Sequence, residues 1–188
     1  MRLVFILLLS FLFQTISLRA QPLERIIQNV PVFAGYANVQ AVDNILTVGI
    51  MSDSLSKTGE EALEMFKKLK TWNHEGVIKI LGHKKVEVVS LNKKNIDEFK
   101  GQILWVMNAS TSLQSLKALT EKGVFTIALA QPELSDHIFV TVTFENKSDD
   151  PAIERWRLTK LEANCKISPL RFVGKLAGKS YFIGRNCD

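Results

Sequence analysis

From Asn44 to Met51 the chain reads NILTVGIM, a β-branched apolar run that stops at the turn-like Ser52-Asp53-Ser54 and predicts a strand. Thr58-Gly59-Glu60-Glu61 then has the form of a capping box, and Ala62, Met65, Phe66 and Leu69 recur at spacings of three and four. That spacing predicts a helix with one apolar stripe, Lys67 and Lys68 lying outside it. KVEVVSL (85–91) predicts a second strand, with Val86 and Val88 alternating and Leu91 out of phase. GQILWVMNAS is apolar enough for a strand covered on both faces, at the sheet centre. LQSLKALTEKG sets Leu113, Leu116 and Leu119 or Ala118 on one helical face before Gly123 stops it. VFTIALA (124–130) and FVTVTFEN (139–146) predict two more strands, the latter a sheet edge with Thr141 and Thr143 outward. RWRLTKLEANCK begins extended, with Trp156 and Leu158 on one face. Ser168 as N-cap and Pro169 at the first helical position then predict a terminal helix through Leu170, Val173, Leu176 and Ala177. The order predicts a single α/β domain with a mostly parallel or mixed sheet flanked by helices, closed by a C-terminal strand-helix element.

The beginning of the chain bears on compartment. Met1-Arg2 precedes LVFILLLSFLF, the length of a signal-peptide core and too short to span a bilayer. Cleavage after Ala20 is expected, giving a signal peptide over 1–20, an N-terminal lead segment over 21–43 and the α/β domain over 44–188. No later apolar run is long enough for a membrane anchor. The mature protein is expected to be periplasmic and not membrane-spanning.

Cleavage removes Arg2 and Arg19, lowering the formal charge from +5 to +3. The lysines are dispersed as Lys67-Lys68, Lys84-Lys85 and Lys93-Lys94, without the clustered basic stripe that nucleic-acid binding needs, so no nucleic-acid partner is expected. Cys165 and Cys187 are the only cysteines and admit one intramolecular pairing in an oxidising compartment. A disulfide between them would stabilise the fold by roughly 3 kcal/mol in the chain-entropy model. The alternative is a buried Cys165 with a free Cys187.

Candidate chemistry changes this picture little. No nucleophile elbow, phosphate-binding glycine loop, His-Glu-x-x-His helix or dinucleotide fingerprint occurs. His74, His83 and His137 lack metal-ligand spacing, and neither a metal nor another cofactor is expected. His83 reads as an exposed loop residue. His137 beside Asp136 lacks an identifiable nucleophile, so no enzyme is expected. The polar loops Ser52, Asp53, Ser54 and Asn108, Ser110, Thr111 follow two strands and lead toward helix N-termini, where a small polar or anionic ligand can bind; helix capping is the plainer role for these residues. Asn108-Ala109-Ser110 and Asn146-Lys147-Ser148 fit the short glycosylation pattern.

The succession ILTVGI, helix, KVEVVSL, QILWVMNAS, short helix, VFTIALA, then an edge strand with Ile167-Ser168, Leu170, Leu176 and Ala177 resembles the YfiR family of periplasmic repressors over most of residues 45–177. The chain departs from that pattern at PVFAGYANVQ, where the family has an aromatic helix leading to Trp-Pro, and at Gln131 to His137, which replace a glycine-rich turn. The resemblance implies a non-enzymatic regulatory protein that docks on a membrane-bound sensor protein, a diguanylate cyclase, and restrains cyclic-di-GMP signalling, with a homodimer possible. A small periplasmic solute-binding module that uses the two polar loops is the alternative.

Overall fold

The structure, a computed structural model, describes residues 20–52, 57–108, 112–149, 155–172, 176 and 178–185. Its organising element is a seven-stranded sheet in the order β2-β1-β3-β4-β5-β6-β7. The strands are β1 (Ile45–Ser52), β2 (Lys85–Leu91), β3 (Ile103–Asn108), β4 (Phe125–Leu129), β5 (Val140–Asn146), β6 (Trp156–Asn164) and β7 (Phe182–Arg185). All neighbours pair parallel except β5 and β6. The helices are α1 (Ala20–Tyr36), α2 (Lys57–Lys68), α3 (Glu75–Leu81) and α4 (Leu113–Glu121), with short 3-10 turns at Lys70–Asn73 and Ile96–Glu98. The fold is thus the expected single α/β domain with a mixed, mostly parallel sheet.

Strand register explains the core. Because side chains alternate between faces, the row Ile50, Trp105, Ile127, Val140 and Ala163 points to one side across five strands. It packs beneath Leu23, Ile26, Ile27, Val30 and Phe33 of α1 and Ala62 and Phe66 of α2. On the opposite face Met51, Leu104, Val106 and Ala128 meet Leu116 and Leu119 of α4, with Ile96, Phe99, Leu134 and Ile138 from connecting segments. Gly49 keeps this second face close-packed: a Cβ there would fall within 3 Å of Leu91, Leu104 and Phe99.

Within the lead segment over 21–43, α1 buries its stripe in the main core, with Pro31 inside the helix. Several expectations are corrected. Helix α2 begins at Lys57, so Thr58 lies within it rather than at its cap. Strand β5 is internal, because β6 and β7 lie outside it, and Thr141 is buried rather than outward-facing in water. The expected terminal helix does not form at its described start. Ser168 to Phe172 are non-helical: the Leu170 N–H donates to Ser168 Oγ at 3.1 Å, and the Arg171 guanidinium donates to the carbonyls of Ser168 and Leu170. The chain instead returns as β7, parallel to β6, so the C-terminal element is strand-turn-strand. The signal-peptide region over 1–19 and Cys187 lie outside the described residues.

Candidate functional site

In the order β2-β1-β3-β4-β5 the connection direction reverses at β1, and the crevice at such a reversal, outside the carboxyl ends of the strands, is where open α/β sheets bind ligands. The two polar loops picked out from sequence both leave the sheet there. Ser52 and Asn108 are cross-strand register partners at the ends of β1 and β3, with a bulge between Met51 and Ser52. The structure therefore brings together the starts of two segments that are 56 positions apart in the chain. Asp53, Ser54, Ser110 and Thr111 lie outside the described residues, as does the side chain of Asn108.

Ser52 is nearly buried. Ser112, the last residue of the second polar loop, is buried at the N-cap of α4 and makes no side-chain capping bond to that helix. Its partner lies elsewhere. At the opposite end of the sheet, where the segment from β4 enters β5, a buried relay fastens the chain. Phe139 N–H donates to Thr126 Oγ at 2.7 Å, and Thr126 Oγ lies 2.8 Å from Thr120 Oγ. Thr120 Oγ in turn lies within 3.0 Å of the carbonyls of Leu116 and His137. Each hydroxyl can donate one proton and accept another, so the relay satisfies a backbone amide, two hydroxyls and a carbonyl without water. Neither threonine carried a sequence signal beyond its type.

The histidines take structural positions. His137 Nδ1 meets the Glu133 carbonyl at 3.0 Å, within its own turn, while Asp136 is exposed. His74 is the N-cap of α3, its Nδ1 accepting from Gly76 N–H at 3.2 Å. His83 overturns its expectation: it is 1% exposed rather than a surface loop residue. Its Nε2 donates to the Trp72 carbonyl at 2.9 Å and its ring lies edge-on to Trp72. Gly82 makes this possible, closing α3 with a left-handed φ of 64° so that the next side chain turns inward. Among the described residues no three His, Cys, Asp or Glu side chains are grouped to hold a metal ion.

Electrostatics at the surface are mild. Lys67 beside Glu64 holds its carboxyl below the usual range, first by hydrogen bonding and then by charge, with Lys68 adding to both. Lys147 does the same to Glu145. An open groove of about 630 Å³ lies between α1 and α2, lined by Ile27, Met65 and Leu69 together with Glu24, Glu64, Lys68 and Lys70. Among the described residues, no helix is long and apolar enough to cross a membrane. No known family model matches the chain, and no curated protein matches it.

Proposed function

We propose that the chain is an exported, non-enzymatic regulatory protein that docks on a membrane-bound signalling partner, as the resemblance to repressors of diguanylate cyclases implies. The observation that carries this reading is an apolar surface where α1 meets α3. Val32, Val42 and Ile80 are 36%, 58% and 51% exposed, although each is a large aliphatic side chain. They come from neighbouring segments. A Cβ on Gly35, one turn after Val32, would lie 3.0 Å from Ile80; Ala41 N–H donates to the Leu81 carbonyl, and the Gln40 amide donates to that of Ile80. Clustered exposed aliphatics mark interaction sites more often than scattered ones do. Ile80→Glu should abolish co-purification of a sensor protein from native membranes while leaving the unfolding midpoint unchanged. Loss of the chain should raise cyclic-di-GMP; unchanged levels, or capture unaffected by Ile80→Glu, refute the reading.

The convergence of Ser52 and Asn108 at the sheet reversal supports a second reading, a small solute-binding module. Its test is a thermal-shift screen with small polar and anionic solutes. A solute that stabilises the wild type but not Ser52→Ala favours this reading, and no stabilisation by any of them counts against it.

The pairing of Cys165 with Cys187 is proposed on similar grounds. Cys165 is buried at the end of β6, and no free cysteine is present among the described residues. Its N–H donates to the Arg185 carbonyl at 3.0 Å, so the backbone two residues before Cys187 already runs alongside it.

A further inference from the structure

Strand β2 ends the sheet on one side. Among the described residues it pairs only with β1, leaving seven residues of edge with half of their backbone groups turned outward. The phase of the ladder says which half. Lys85 N–H donates inward to the Asn44 carbonyl, so by alternation Val86, Val88 and Ser90 direct their N–H and C=O groups away from the sheet. Val86 and Val88 turn their side chains to the main core, while Lys85 and Glu87 project from the other face.

Lysines on an edge strand ordinarily keep other strands away, because an incoming copy sets like charges against one another. Here the pattern does the reverse. Lys85 and Glu87 form an ion pair at 2.8 Å, with side chains 67% and 43% exposed. In an antiparallel pairing of two β2 strands about a two-fold axis at Val86, Lys85 of each copy stands directly opposite Glu87 of the other. These are non-hydrogen-bonded positions, where facing side chains come closest. The four charges then alternate around a square, so each lysine gains a second carboxylate and no like pair is opposed. In the same register the two Val86 residues exchange both backbone bonds, and each Val88 N–H meets the Lys84 carbonyl of the other copy.

We infer that the β2 edge is a self-association surface, joining two copies of the chain antiparallel about Val86 into one continuous fourteen-stranded sheet. The contact is narrow, so the dimer is weak and forms at high micromolar concentration, below the area class of permanent dimers.

Sedimentation velocity over a dilution series from low micromolar to submillimolar should show a reversible monomer–dimer equilibrium. Lys85→Glu and Glu87→Lys, each placing like charges opposite, should each raise the dissociation constant about tenfold or more, and the exchange variant carrying both should restore it to within about threefold. Val86→Pro should abolish the dimer, since it removes only an outward N–H and leaves the ladder to β1 intact. If Val86→Pro fails to fold, the charge exchange still decides. A monomer at every concentration overturns the inference, as does a dimer indifferent to single charge reversals. A dimer that both single variants weaken and the exchange fails to restore overturns the register. A monomer whose β2 edge instead captures an extended peptide overturns the assignment to a second copy.

Discussion

Strands β1, β3 and β4 carry apolar side chains on both faces, beneath α1 and α2 on one side and α4 with its neighbouring segments on the other. Strands β5, β6 and β7 bury one face along their length and the other only at one end, where Thr141 and Asn164 are buried beside the segment that holds Ser135. Val140, Val142, Leu161, Ala163 and Phe182 point to the shared core, whereas Thr143, Lys160, Glu162 and Ile183 lie on the other side. The difference follows from connectivity. Parallel neighbours need crossovers, and the crossovers supply covering layers; the antiparallel β5–β6 pair needs only a short link, which leaves the second face open around Thr143 and Lys160. What closes the later half is the returning tail, whose Phe172 stacks on Phe139 with centroids 5.4 Å apart and meets Phe182 edge-on at 5.5 Å.

The contrast can be broken most severely at Phe125, which is fully buried and lies edge-on to both Phe139 and Phe172. Phe125→Ala should cost about 3–5 kcal/mol in urea unfolding, while Lys160→Ala on the open face should stay within about 0.5 kcal/mol. Similar losses at the two positions would mean that the second face of β5 and β6 is covered after all. Next in size is the proposed tail closure. Cys187→Ser should lower stability by about 3 kcal/mol under oxidising conditions and leave it unchanged under reducing ones. Two reactive thiols in the untreated, denatured protein would remove the basis for that expectation.

A smaller effect sharpens the boundary between the halves. Thr126→Val should cost about 1–3 kcal/mol, since the Phe139 amide loses its acceptor at the entry to β5; a neutral result in thermal unfolding would show the relay to be dispensable. The smallest effect lies on exposed α2. Because Lys67 and Lys68 hold the Glu64 carboxyl below its ordinary value of 4.5, its contribution is present above that pH and is lost as pH falls through the lowered folded value. Glu64→Gln should therefore flatten the acid limb of the midpoint–pH curve slightly, lowering the midpoint a little from neutral pH upward and leaving it unaltered at the acid end, where Glu64 is already protonated. A change confined to the alkaline limb would contradict the assignment.

Much of the sheet was legible because β-branched runs such as ILTVGI and KVEVVSL favour extended backbone, and the doubly apolar QILWVM reports burial on both faces. The failures have separate causes. No helix was read before Asn44; α1 forms there because the buried stripe from Leu23 to Ala34 outweighs the N–H missing at Pro31. Helix α3 is short, and its N-cap is a histidine rather than a serine, threonine or aspartate, so no start signal marked it. At Leu170 to Ala177 the helical spacing was real, but Phe172 finds its partners in the aromatic cluster, and the Arg171 contacts to nearby carbonyls fix a turn. Strand β7 was invisible because four residues carry no periodicity and its stability comes from pairing with β6. At the candidate site, Ser52 and Asn108 were legible as loop starts, but their adjacency depends on the β1–β3 register, a property of the sheet and not of either loop.

That α1 packs against β6 while β6 pairs with β7 has a consequence for the order of synthesis. Helix α1 is completed by strands made more than a hundred residues later, so the nascent chain can hold only part of this packing until β7 has been translated. Completion of the core is thereby deferred to the late part of the polypeptide, and until then the apolar stripe of α1 lacks its β6 contacts.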